Sequence, residues 1–361
     1  MSSNIVRIAG LFSVFMSIAV CAAAEEEAPV PVTDQPWQEV VVSVSNLDRT
    51  AGFFALIGGY EERWRGALAP AEIAFWGLDR GASAEAVLLG SPGRDSGLVR
   101  LIRFDGVGRK EPTRPGARAW DTGCYFSLNV HTRGIQSVYD AAIKMGWWTE
   151  TPITATHVGE STRNAVVFRG PDGVQVLGIE SPEAVPKGKR FSGPFSVLQT
   201  VRDRDTAYDF FSRILGFFTL RHDDLSDAQE AGFTPFGIPR TPAENAALGA
   251  SEVYSQSRET GRVEILEIAA IEGRDHSARC AAPNLGVLAL RYPVASTKDA
   301  LYDIAGRGGR LELFASGVKI EPYGNVRLFN VKTPDGANVH FYEMLDPVDD
   351  AVESDTGAHG L

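Results

Sequence analysis

The sequence predicts an α+β chain built from four βαβββ modules, and three observations carry that prediction. Segment 42–54 reads as a strand running into a helix, and it recurs at 199–211 with an aromatic pair on the helix each time, Phe53-Phe54 and Phe210-Phe211. Pro-Asp-Gly sits between two apolar runs at Pro171-Asp172-Gly173 and again at Pro334-Asp335-Gly336, about 160 residues on, which marks a hairpin and a second match between halves. Each half then splits once more, because strand-like runs at 124–130 and 285–292 lead into helical stretches at 135–144 and 297–305.

In chain order the modules start near Gln38, Gly123, Pro194 and Asn284. A glycine follows each helix as a stop signal: Gly58 or Gly59, Gly146, Gly216 and Gly306. The stretch 182–193, carrying proline, glycine and lysine, is the natural boundary between two domains at 37–181 and 194–345, each of two modules. A shorter linker, 109–118, lies inside the first half. The longest irregular stretch, 226–249, reads either as a lid or as a solvated insertion, and the acidic tail 346–361 reads as disordered.

The N-terminus is a targeting segment rather than part of the fold. Arg7 precedes an apolar run over 8–20, and small residues end at Ala22-Ala23-Ala24, the pattern of a signal peptide spanning 1–24. The mature chain is then periplasmic or secreted, with no membrane attachment after cleavage. A lipidated Cys21 is the alternative, and Val20 stands where that pattern wants a small residue. Cys124 and Cys280 remain after cleavage and are read either as one bridge or as two buried thiols.

Composition is that of a soluble globular protein, with 44% hydrophobic and 22% charged residues in 361. A net charge of −11 and the lack of a basic patch argue against a nucleic-acid partner. A small organic molecule is the expected partner, and a homodimer is left open.

The residues Val201 through Asp203, the Phe210-Phe211 pair, the turn Leu215-Gly216-Phe217 and the hairpin Thr333-Pro334-Asp335-Gly336 together resemble the vicinal oxygen chelate (glyoxalase, bleomycin-resistance, extradiol dioxygenase) superfamily. The first half matches through Phe53-Phe54, Gly58-Gly59 and Gly170-Pro171-Asp172-Gly173, so the resemblance spans nearly the whole mature chain. It implies that paired modules curl into two cup-shaped mixed β-sheet domains, one cavity per half. It also implies a divalent metal in the cup, held by a residue early on the first strand and another on the last strand of each paired module.

Mapped onto this chain, those positions are Glu39, Tyr125, Arg100 and Leu177 in the first half, and Ser196, Val287, Glu267 and His340 in the second. Arg100 puts a permanent cation where a metal would sit, and Glu39 faces it as an ion-pair partner or as a ligand-binding group. In the second half only Glu267 and His340 are metal-ligand types, one short of the usual three for a catalytic site. His222 is the one candidate to complete it. The sequence therefore assigns no metal, with a divalent ion at Glu267 and His340 as the disfavoured alternative. The pair instead reads as a general acid–base couple. Strand alternation puts Asn338, His340 and Tyr342 on one polar face, which Arg327 on the preceding strand could join.

Two functions follow. One is a lyase or isomerase that moves a proton on a small oxygenated compound, with Glu267 and His340 catalytic and Glu39, Arg100, Tyr125, Ser196, Arg327 and Tyr342 lining the cups. The other is a non-catalytic sequestering protein with a cleft lined by aromatics such as Trp64, Trp76, Trp147 and Trp148. A metal-dependent glyoxalase or dioxygenase fits less well.

Overall fold

A computed structural model describes residues 29–345 apart from 117, 159–160, 226–233 and 257. The signal segment 1–24, the tail 346–361 and the first part of the irregular stretch 226–249 lie outside the described residues. Module one contains β1 (Glu39–Ser43), α1 (Leu47–Phe53), β2 (Glu61–Ala67), α2 (Pro70–Phe75), β3 (Ser83–Gly90) and β4 (Leu98–Asp105). Module two contains β5 (Ser127–Thr132), α3 (Ile135–Lys144), β6 (Trp148–Thr149), β7 (Thr154–Val158), β8 (Ser161–Arg169) and β9 (Gln175–Glu180). Module three contains β10 (Ser196–Val201), α4 (Arg204–Asp209), β11 (Phe218–His222), α5 (Arg240–Ala243), β12 (Ala247–Tyr254) and β13 (Arg262–Ala269). Module four contains β14 (Gly286–Pro293), α6 (Thr297–Gly306), β15 (Leu311–Ile320), β16 (Gly324–Lys332) and β17 (Asn338–Met344).

Helix starts repeat the same chemistry. Asn46, Asp203 and Ser296 each accept a hydrogen bond from the backbone N–H three residues on, satisfying a donor that the first helical turn leaves open. The aromatic pair on the helix is buried in both copies and packs edge to face. Gly59 closes the first helix at φ 68°, a conformation that a side chain would strain.

Two mixed sheets result, in the orders β15-β16-β17-β14-β1-β4-β3-β2 and β11-β12-β13-β10-β5-β9-β8-β6, with β7 on β8. The pairing of modules differs from the sequence expectation of one cup per half. Module one shares a sheet with module four through the antiparallel pair β1–β14, and module two shares one with module three through β5–β10. The stretch 182–193 therefore joins two modules of one sheet. The chain changes sheets instead at 106–126 and 270–285, which run side by side and are bridged at Thr122–Asp275 and Pro112–Leu285. The Cys124–Cys280 disulfide joins these same two crossings.

Strand alternation divides the core. Val40, Val42, Val130, Val197 and Val263 point to one large cluster that takes in the helices and the facing sides of both sheets. Phe53 of α1 stacks on Trp147 there, with ring centroids 3.5 Å apart. Val41, Ile102 and Ala289 point to the opposite face of the first sheet, and Leu198, Leu266 and Leu177 to the opposite face of the second.

Candidate active site

The face of the first sheet that carries Val41 also carries a closed ion network. Glu39 accepts from Arg100 Nε at 2.7 Å and from Arg291 Nη1 at 2.9 Å, and its other oxygen accepts from the Tyr323 hydroxyl at 2.9 Å. Arg291 Nη2 donates to Glu72 at 2.8 Å, and Arg100 Nη2 to the Glu321 carbonyl at 2.7 Å. Arg100, Arg291 and Glu39 are fully buried. Burial alone would raise the Glu39 pKa, but the Arg100 and Arg291 charges outweigh it and hold the carboxyl below its usual range. Trp64 and Tyr323 cover the Arg100 guanidinium, with ring centroids 5.5 and 5.7 Å away, and Trp76 lies 5.6 Å from that of Arg291.

His340 lies beside this network, packed against Phe75 and Trp76 at 5.1 and 4.9 Å. Burial, reinforced by the Arg291 charge, pushes its pKa well below the ordinary histidine value, so the ring is neutral. Tyr342 stacks on Tyr323 on the same face. Arg327 belongs elsewhere, 3.3 Å from Glu343, and that carboxylate also accepts from the Thr297 N–H at the start of α6.

The second sheet holds an open cavity of about 620 Å³ on the face that carries Leu198. Leu177, Ile179, Phe195, Leu198, Phe236 and Leu266 form much of its wall. Its polar lining includes His131, Arg221, Asp223, Asp224, Arg262 and a facing pair of carboxyls. Glu252 and Glu264 stand directly opposite on β12 and β13, and both line the cavity. Burial, then the neighbouring Glu264 charge, push Glu252 up to about 7, while Arg262 and Arg221 pull the other way. Arg262 approaches Glu252 at 3.4 Å and lies over the Phe195 ring at 4.8 Å. His131 stacks on Phe195 at 4.0 Å, and desolvation, aided by the Arg262 charge, pushes it down to about 4.

Behind Glu264 runs a chain of buried polar side chains. Ser127 Oγ donates to Asn129 Oδ1 at 2.7 Å, Asn129 Nδ2 to Ser196 Oγ at 3.0 Å, and Ser196 Oγ to Glu264 Oε1 at 2.5 Å. Ser127, Asn129 and Ser196 are each 0% exposed.

The expected couple of Glu267 and His340 is not formed, because β13 and β17 belong to different sheets. Glu267 also points away from the cavity. It is three residues past Glu264, so it faces the helix side, where its carboxylate accepts from the Arg204 N–H at the start of α4. Glu180 and Glu343 do the same for α3 and α6, each three residues past Leu177 and His340. Tyr125 lies just before β5, buried in the shared core with its hydroxyl on the Asn338 carbonyl. His222 bonds Ser251 at 2.7 Å and stacks on Tyr208. Of the tryptophans, Trp147 is core and Trp148 is half exposed, and none lines the cavity. Glu252, Glu264, Asn129 and Arg291 were not picked out by sequence. Aligning the last strands on the glutamate three residues downstream, as in Glu264–Glu267, Leu177–Glu180 and His340–Glu343, would have pointed to Glu264.

Neither a family model nor a curated protein matches the chain. Among solved structures, glyoxalase I from Zea mays is 14% identical with a TM-score of 0.58, covering 90% of this chain and 97% of that one. A proposed dioxygenase from Bacillus subtilis subsp. subtilis str. 168 is 13% identical with a TM-score of 0.54, covering 88% of this chain and 87% of that one. The chain has the vicinal oxygen chelate fold. Identity this low carries the architecture and not the activity.

The vicinal oxygen chelate fold implies a divalent metal, and the residues at the corresponding positions can be tested for fit. Strand pairing and the Glu39–Arg100 contact place Glu39, Arg100, Arg291 and His340 at those positions in the first sheet. In the second sheet they are Ser196, Asn129, Glu264 and Leu177. The first set contains two permanent cations already neutralised by Glu39 and Glu72, and the second contains one carboxylate, an alkyl side chain, and a hydroxyl and an amide already hydrogen-bonded to each other, to Ser127 and to Glu264. Neither donor set fits a divalent cation, which wants three nitrogen, sulfur or oxygen ligands around an open position.

Proposed function

We propose that this is an exported protein that takes a small oxygenated organic molecule into the cavity of the module two–three sheet and moves a proton on it, as a metal-free lyase or isomerase. The observation that carries this reading is the Glu252–Glu264 pair on the cavity wall. Burial and the facing Glu264 charge push Glu252 up to about 7, so near neutral pH this carboxyl can both give and take a proton. Beside the apolar residues of the wall, the pair can remove a proton next to a carbonyl and supply one to the oxygen. The role expected for Glu267 and His340 passes to these two residues.

The second reading, a sequestering protein, is favoured by the apolar lining of Phe195, Phe236, Leu198 and Leu266. One experiment separates the two. Small hydroxyketones, hydroxyacids and phenolic compounds are screened by thermal shift, and those that stabilise the protein are followed by NMR for carbon-bound deuterium incorporation in D2O. Proton transfer by the pair requires exchange in the wild type and its loss, with binding kept, in the E252Q/E264Q double variant. Tight binding with no exchange for any compound leaves the sequestering function.

A further inference from the structure

We propose that the protein pairs with a second copy of itself along β15, the outer strand of the module one–four sheet, by antiparallel contact about a two-fold axis. β15 and the cavity belong to different sheets, so this pairing stands apart from the proton-transfer reading. Among the described residues β15 has a strand neighbour, β16, on one side only. It is the longest described strand, with ten residues, and Leu311, Leu313 and Phe314 are about half exposed along its first part.

The other sheet edges are built differently. β2 carries Glu61, Glu62, Arg63 and Arg65, β6 has two residues, and β11 has five and ends in Arg221-His222. Charge and shortness keep an unpaired edge from joining another. β15 is long, contains no proline, and has Glu312 and Lys319 as its charged residues. Its three exposed apolar side chains stand opposite the buried Val331, Asn330 and Phe329 of β16. Covering them removes apolar surface from water, which is the gain that association brings.

The partner follows from the strand itself, which is self-complementary. An antiparallel copy centred between Ala315 and Ser316 sets Glu312 against Lys319, Leu313 against Val318 and Phe314 against Gly317, each pair on both sides of the axis. Leu313 and Val318 share a face, because their β16 partners, Asn330 and Val326, are an even number of residues apart. Gly317 has φ 67°, and nothing lies within 4 Å of where its Cβ would stand, which leaves room for the Phe314 ring. Glu312 and Lys319 have partners in their own chain, Lys332 at 3.8 Å and Glu321 at 2.9 Å, but exposed bridges of this kind are weak and exchange readily. Bulges at Glu312 and at Ser316-Gly317 twist the strand, so the contact is short and held by side chains rather than by a full ladder.

The test is sedimentation velocity of the full protein at low salt, over about a hundredfold range of concentration. The expected result is a monomer–dimer equilibrium. Glu312→Lys and Lys319→Glu each put like charges across the axis at both ends of the contact, so each weakens self-association about tenfold or more. The double reversal Glu312→Lys/Lys319→Glu restores attraction and returns the dimer to near wild-type strength, which a merely misfolded single variant would not predict. Phe314→Asp removes the dimer while the melting temperature stays close to that of the wild type. A wild type that stays monomeric throughout overturns the proposal and leaves the edge to the chain's own tail or to another protein. A dimer that both single reversals leave unchanged places the contact on another face and overturns it too, as does a double reversal that associates no better than the singles.

Discussion

Glu39 and Arg100 meet at 2.7 Å on neighbouring parallel strands, and neither side chain is exposed. The pair is the centre of a network that also neutralises Arg291. Removing the carboxylate leaves the buried Arg100 guanidinium without a carboxylate partner, while Arg291 keeps Glu72, so Glu39→Gln is expected to cost about 3–5 kcal/mol in urea denaturation. The pH dependence follows from the lowered Glu39 pKa. Its contribution is present above the unfolded value of 4.5 and is lost as the pH falls through the lower folded value, so the acid limb of the wild-type stability curve flattens in the variant. A cost under about 1 kcal/mol would mean that the network does not act as a unit.

Glu267 is expected to behave as a helix cap. Its carboxylate meets the Arg204 N–H at 3.0 Å, at the start of α4. Glu267→Ala should lower stability by about 1 kcal/mol, as loss of an N-terminal helix acceptor does. Compound binding and deuterium exchange should stay at wild-type levels. Loss of exchange with stability intact would return Glu267 to the mechanism.

The repeat and the fold class were legible because periodicity, aromatic pairs and Pro-Asp-Gly hairpins are local signals. Which modules share a sheet was not. All four first strands read alike, and the nesting of one with four and two with three depends on long-range pairings such as Glu39–Arg291 and Ser196–Asn129. Glu39 facing Arg100 was legible because both sit on the same face of strands of one module, two residues apart in register. Glu264 was missed by a step of three residues, and an odd step on a strand changes the face. His340 read as polar and reactive, but its surroundings of Phe75 and Trp76 come from a different module.

The Cys124–Cys280 disulfide ties together the two crossings between sheets, at a sequence separation of 156. Closing a loop that long removes much of the entropy of the unfolded chain, about 4–5 kcal/mol on the loop-entropy account. Cys124→Ser/Cys280→Ser is therefore expected to lower the melting temperature by several degrees, and a reductant should lower that of the wild type while leaving the variant unchanged. Mass spectrometry of protein recovered from the periplasm, or from the culture medium, checks the compartment at the same time. A free thiol pair there would contradict the bridge, and recovery of the chain from neither compartment would contradict the expected export.

His131 makes the cavity sheet sensitive to acid. Burial, with the Arg262 charge, lowers its pKa to about 4, and its Nδ1 has no hydrogen-bond partner among the described residues. The folded protein holds the ring neutral while the unfolded chain protonates it below 6.5. Stability from this group is thus complete above pH 6.5 and is lost as the pH falls toward 4, by roughly 2–3 kcal/mol at the bottom of that window. His131→Phe keeps the stack on Phe195 and removes the titration. The stability of this variant should vary less than that of the wild type between those two pH values in urea titrations. Glu252 runs the opposite way, because a raised carboxyl pKa makes the folded state hold the extra proton and costs stability as the pH rises from 4.5 toward 7. Glu252→Gln should therefore gain on the wild type over that range, and parallel curves for both variants and the wild type would show that neither group is shifted.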